Sequence, residues 1–141
     1  MTRFRAAALA LSSVLIAAPA MAAPTHVPLD GEIIVGGIGV GCTGIGQTKL
    51  QPKWGAYPVR VEFANAKRDY LAGEQVSVSA GGRQVLSITC EGPWVLLKLP
   101  AGRTYNVEAR LTDQATAPHS TKVTVPKRGQ GRFVIEFPDA Q

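Results

Sequence analysis

From Pro58 to Phe137 apolar and polar residues alternate with a period of two, a pattern that strands satisfy and helices do not. Val59, Val61 and Phe63 alternate with Arg60 and Glu62, giving one face for a core and one for water. Val76, Val78 and Ala80 alternate with Ser77 and Ser79. Gly81-Gly82 then supplies the two positive-φ positions of a tight hairpin, and the return strand sets Leu86, Ile88 and Cys90 against Ser87 and Thr89. Glu91-Gly92-Pro93 breaks the run before a nearly continuous apolar strand from Trp94 to Leu99. After the turn Pro100-Ala101-Gly102-Arg103, Tyr105, Val107, Ala109 and Leu111 alternate with Asn106, Glu108 and Arg110. Val123 and Val125 follow a loop from Thr112 to Pro118, and Phe133, Ile135 and Phe137 complete a last strand. With the β-branched run Glu32-Ile33-Ile34-Val35, this predicts seven or eight short strands and an antiparallel β-sandwich.

Upstream of Pro58 the chain has a different character. Gly36 to Gly46 holds six glycines in eleven residues, too great a backbone-entropy cost for a stable helix, and reads as a glycine-rich loop or edge segment. A turn of helix fits Gln47 to Gln51 before Pro52 ends it. Arg3 and Arg5, the apolar run Ala6 to Ala18 and the small-x-small motif Ala20-Met21-Ala22 predict a cleaved signal peptide over 1–22. Thirteen apolar residues fall short of the roughly twenty a membrane span needs. No Cys follows the apolar run directly, so the expectation is a soluble periplasmic or secreted protein. Residues 23–31, with two prolines and no periodicity, read as a mobile leader, and 32–141 as the single domain.

Without Arg3 and Arg5 the balance is 13 basic against 10 acidic residues, a small excess that argues against a nucleic-acid partner. Cys42 and Cys90 allow one intramolecular pairing, favoured in an oxidising compartment; two free thiols or an intermolecular bridge are the alternatives.

Motifs that would carry chemistry are weak. Gly39-Val40-Gly41-Cys42-Thr43-Gly44 fits G-x-G-x-x-G after a strand, but Gly44 and Gly46 spoil the helix a dinucleotide site requires, and Glu62 downstream reads as a wet-face strand residue. His26 and His119 lack a second ligand at metal spacing, and no nucleophile-elbow or Cys-His signature is present. The expectation is therefore no catalytic residue, no cofactor and no metal. Lys127, Arg128 and Arg132 cluster near one turn and Lys67 and Arg68 near another; solvated turns are the favoured reading and a small anion or membrane-surface patch the alternative. Among Trp54, Tyr57, Tyr70 and Trp94, Trp54 sits in a Pro/Gly-bounded loop and is the candidate for an exposed ligand contact.

The segment Gly92-Pro93-Trp94-Val95-Leu96-Leu97-Lys98-Leu99-Pro100-Ala101-Gly102-Arg103-Thr104-Tyr105-Asn106-Val107 resembles the GPW-(hydrophobic)-LPAGRY-x-V stretch of carboxypeptidase regulatory-like proteins. Val123-Thr124-Val125-Pro126 with Gly129-Gln130, and the opening Gly36-Gly37-Ile38-Gly39, are similar to the same small bacterial exported proteins. The resemblance implies a transthyretin-like (prealbumin-like) Greek-key sandwich of about seven strands without catalytic residues. The expected role is an exported accessory or protein-binding module with an envelope protein as partner, since sheet edges offer unpaired backbone groups to an added strand. A carbohydrate- or small-ligand-binding sandwich is the alternative.

Overall fold

The computed structural model describes residues 13–16 and 23–141; the predicted signal peptide lies almost wholly outside them. Among the described residues ten strands form two five-stranded sheets. They are β1 (Thr25–Val27), β2 (Glu32–Val35), β3 (Ile38–Thr43), β4 (Val59–Asn65), β5 (Glu74–Ala80), β6 (Arg83–Cys90), β7 (Trp94–Leu97), β8 (Thr104–Leu111), β9 (His119–Thr124) and β10 (Gly131–Phe137). The first sheet runs β1-β6-β5-β8-β9 and the second β10-β4-β7-β3-β2.

The inward halves of the alternating strands meet between the sheets. Val59, Val61 and Phe63 of β4 and Val95 and Leu97 of β7 face Val76 and Val78 of β5, Leu86 and Ile88 of β6, and Val107 of β8. Removing these side chains from water is the main force holding the layers together. Cys42 and Cys90 are bridged across this core with their Cα atoms 5.7 Å apart. The bond ties β3 of one sheet to β6 of the other.

Three expectations change. The strands number ten, and the sheets are mixed, because β1 runs parallel to β6 and β10 parallel to β4. Alternation along a strand says which face is apolar but not which neighbour the backbone will choose. Residues 23–31 are not a structureless leader: Thr25–Val27 pairs with Ile88–Cys90, and Val27 is fully buried. The glycine-rich segment is itself a hairpin. Gly36 and Gly37, at φ 55° and 80°, form the two-residue turn between β2 and β3, and β3 lies inside the sheet between β2 and β7. The predicted helical turn is present as a 3-10 turn over Gln47–Leu50, followed by a second over Pro52–Ala56. No described helix is long and apolar enough to cross a membrane.

Candidate functional site

The outer face of the second sheet gathers both tryptophans, two of the three tyrosines and several charges. On β7, Val95 and Leu97 point into the core, so Trp94 and Leu96 point outward, yet both are buried. The segment carrying the two 3-10 turns folds back over them, placing Trp54 and Tyr57 against Trp94 and Leu96 as a second apolar cluster. Gly41 makes this approach feasible: a Cβ there would lie 2.7 Å from the Trp54 ring. The Trp54 indole N–H donates to the Thr48 carbonyl at 2.8 Å. The Gln130 amide, reaching over from the loop before β10, donates to the carbonyls of Trp54 (2.8 Å) and Tyr57 (3.0 Å). Trp54 is only 3% exposed, which corrects its reading as an exposed ligand platform. Its loop has turn chemistry, but an indole earns more by covering Leu96 than by facing water.

Cations cover the aromatic band. Lys98 lies 4.7 Å from the Tyr57 ring centroid, Lys53 4.4 Å from Trp54 and Arg60 4.3 Å from Trp94. Tyr70 meets Trp94 edge-on at 6.0 Å. Each end of the band is closed by a carboxylate that accepts from a tyrosine hydroxyl.

At the β2 end, the Tyr57 hydroxyl donates to Glu32 at 2.6 Å, and the Lys53 ammonium sits 3.3 Å from the same carboxylate. The Tyr57 hydrogen bond is the main reason the Glu32 carboxyl is held below its usual range, while burial and Glu32 together push the Tyr57 phenol up. A shallow depression of about 530 Å³ lies here, lined by Glu32, Ile33, Ile34, Gly39, Tyr57 and Lys98. Ile34 is 78% exposed on a strand that has, among the described residues, no hydrogen-bonded neighbour on its far side. Val35 and Ile38 flank the two-residue turn, and the Cys42 amide donates to the Gly31 carbonyl two positions beyond Ile33 and Val40. Hydrogen-bonded pairs alternate along an antiparallel ladder, so Glu32 and Ile34 are the positions whose N–H and C=O groups face away from β3.

At the β10 end, Glu62 has no exposed surface, although alternation placed it on the wet face. It does point away from the core, but other side chains cover it. One carboxylate oxygen accepts from the Tyr70 hydroxyl at 2.5 Å and from Arg132 Nη2 at 3.0 Å; the other accepts from Arg60 Nε at 3.1 Å and from Arg132 Nε. Burial pushes this carboxyl up, but the bonds from Arg132 and Tyr70 and the charges of Arg60 and Arg132 outweigh it and hold it below the usual range. Beside it opens a cleft of about 340 Å³ that Arg68 and Arg132, assigned from sequence to separate turns, line together. The Glu62 cluster was not foreseen, because its partner strand lies 70 residues away.

The remaining candidates are scattered. His26 bonds Thr89 at 3.2 Å on the first sheet, and His119 packs edge-on against Phe137 at 5.1 Å. Gly39 and Gly41 of the G-x-G-x-x-G match are strand residues of β3, not the start of a helix. Among the described residues no group of three or more His, Cys, Asp or Glu is placed to hold a metal ion. No protein-family model matches the chain, and no curated protein matches it.

Proposed function

We propose that this chain is a non-catalytic, exported binding module that takes up an extended segment of another protein along the free edge of β2. The observation that carries this reading is the outward-facing backbone of Glu32 and Ile34 beside an exposed Ile34. An edge of this kind accepts an added strand through main-chain hydrogen bonds, and flanking side chains choose the sequence. Ile34 favours an apolar residue in the guest, while Lys53 and Lys98 next to the strand favour an acidic one. Export is supported by the charged, apolar and small-residue pattern of residues 1–22 and by the Cys42–Cys90 bridge, a bond that persists in oxidising compartments. The likeness of residues 92–107 to carboxypeptidase regulatory-like proteins supports an accessory module without catalysis of its own. The sugar-platform alternative loses its footing with Trp54 buried.

The test is cross-linking in intact cells with a tagged chain, followed by mass spectrometry, on the wild type and two β2 variants. Ile34→Pro removes an N–H that faces away from β3, so the hairpin keeps its ladder while the free edge is blocked. Ile34→Lys keeps the backbone and places a charge where the guest would lie. One envelope protein recovered in near-stoichiometric amount with the wild type, and lost with both folded variants, supports the reading. Undiminished recovery with both variants overturns it.

A further inference from the structure

The cleft at the opposite end of the band has the makings of a second, independent site. Its floor is Ala64, which stands in register with Glu136 of β10 on one side and bridges Tyr70 on the other. The small Ala64 side chain leaves a hollow between the Tyr70 ring and Val134, and both of these are nearly half exposed. The volume of about 340 Å³ falls within the size range of small-molecule sites.

Its charge is specific. Glu62 has both oxygens occupied by Arg60, Arg132 and Tyr70 and offers nothing to a ligand, so the Arg60–Glu62–Arg132 group carries one net positive charge. On the lining Arg68 and Arg132 balance Glu62 and Glu136, and the one net positive charge near the cleft is that of Arg60, which bonds Glu62 from outside the lining. Arg132 keeps its Nη1 amino group out of the Glu62 contact and is about half exposed. The guanidinium fork matches a planar carboxylate.

Arg132 and Tyr70, and the backbone turn that carries Arg68, are held in place before anything binds. Glu62 fixes both Arg132 and the Tyr70 hydroxyl. The Asn65 side-chain carbonyl accepts from the amides of Lys67 (2.9 Å) and Asp69 (3.0 Å), and between them Arg68 adopts φ 69°, a left-handed conformation that costs a non-glycine residue. Binding side chains fixed in advance lose less entropy when a ligand arrives.

We propose that this cleft binds a small organic monocarboxylate, its anionic group at Arg132 and its apolar body on Ala64 between Tyr70 and Val134. The single net charge and the apolar walls favour such a ligand over inorganic phosphate, whose second charge Glu136 would repel. The site is separate from the β2 edge, so either assignment can fail without the other.

The experiment is a titration of the full chain with benzoate, followed by backbone and arginine side-chain NMR, with benzamide and inorganic phosphate as comparisons. The expected result is saturable shifts confined to Asn65, Arg68, Tyr70, Val134 and Arg132, with benzamide weaker by roughly tenfold or more. Ala64→Leu fills the floor and should abolish binding. Arg68→Ala, an exposed change that leaves the core intact, should weaken it several-fold. The proposal is overturned by any of four outcomes: no benzoate shifts below roughly 50 mM, equal binding of benzamide, tighter binding of phosphate, or wild-type affinity in both variants.

Discussion

Glu74 provides the sharpest test of the energetics. It stands on β5 with the same orientation as Val76 and Val78, opposite Cys90 on β6 and Leu111 on β8, and none of it is exposed. Among the described residues neither carboxylate oxygen has a hydrogen-bond partner. Burial, with Asp113 adding to it, pushes the carboxyl from the usual 4.5 up to about 10, so the group is protonated in the fold at neutral pH. The unfolded chain releases that proton above 4.5, so between that value and 10 the native state binds one proton more than the unfolded state. Stability therefore falls as pH rises, by about 1.4 kcal/mol per pH unit, and about 3 kcal/mol is gone by pH 7. Glu74→Gln and Glu74→Leu both remove the ionisation. Their stability advantage over the wild type should be small at pH 4.5 for Gln and should grow with pH for both variants along the same slope. Leu should lie above Gln by about 1–3 kcal/mol at every pH, because it also removes the unpartnered polar atoms. Urea unfolding at half-unit steps from pH 4.5 to 8 measures this directly, and subtracting the variant curves cancels every other titrating group. Advantages that do not change with pH would refute the assignment of Glu74 as a buried, neutral acid.

Three further outcomes are expected. Replacing both Cys42 and Cys90 by Ala should cost about 4 kcal/mol in the chain-entropy account of a bridge spanning 48 residues, read as a shifted urea midpoint that reductant no longer moves. Gly41→Ala would bring a Cβ within 2.7 Å of the Trp54 ring and should displace the ring, costing about 1–3 kcal/mol and red-shifting the tryptophan emission; an unchanged spectrum would contradict the packing described. Arg132→Ala removes two of the four bonds to Glu62, whose lowered pKa stabilises the fold above the unfolded value of 4.5 and ceases to do so as pH falls through the native value. The variant's acid unfolding should therefore begin at a higher pH than the wild type's, followed by circular dichroism.

Local pattern made much of this fold legible. The Gly81-Gly82 turn and its flanking strands follow from turn chemistry and a period of two, as do the inward positions of β8 from Tyr105 to Leu111. Two cysteines in a chain with an export pattern favour an intramolecular bridge over free thiols or an intermolecular bond, and Cys42 and Cys90 are bridged. What could not be read was long-range. Glu62 was assigned to the correct side of its strand but not to the correct environment, because alternation does not reveal that Arg132 and Tyr70 will close over that side. Trp54 failed for the same reason: its burial depends on Gly41, thirteen positions away, offering bare backbone for the ring to rest on. Extending the Val76–Val78 register back two residues places Glu74 on the core side, an apolar face broken by an acid.

The parallel pairing of β10 with β4 has a bearing on how the molecule is assembled over time. Chain growth from N to C terminus brings out Glu62 well before Arg132, with 70 residues between them. Until β10 docks, the second sheet lacks its border strand, and the carboxylate at its rim lacks its principal counter-ion. Seating of the last strand thus completes a hydrogen-bond register and an electrostatic lock in one step. The ligand cleft, whose far wall is that same strand, exists only in molecules that have finished folding.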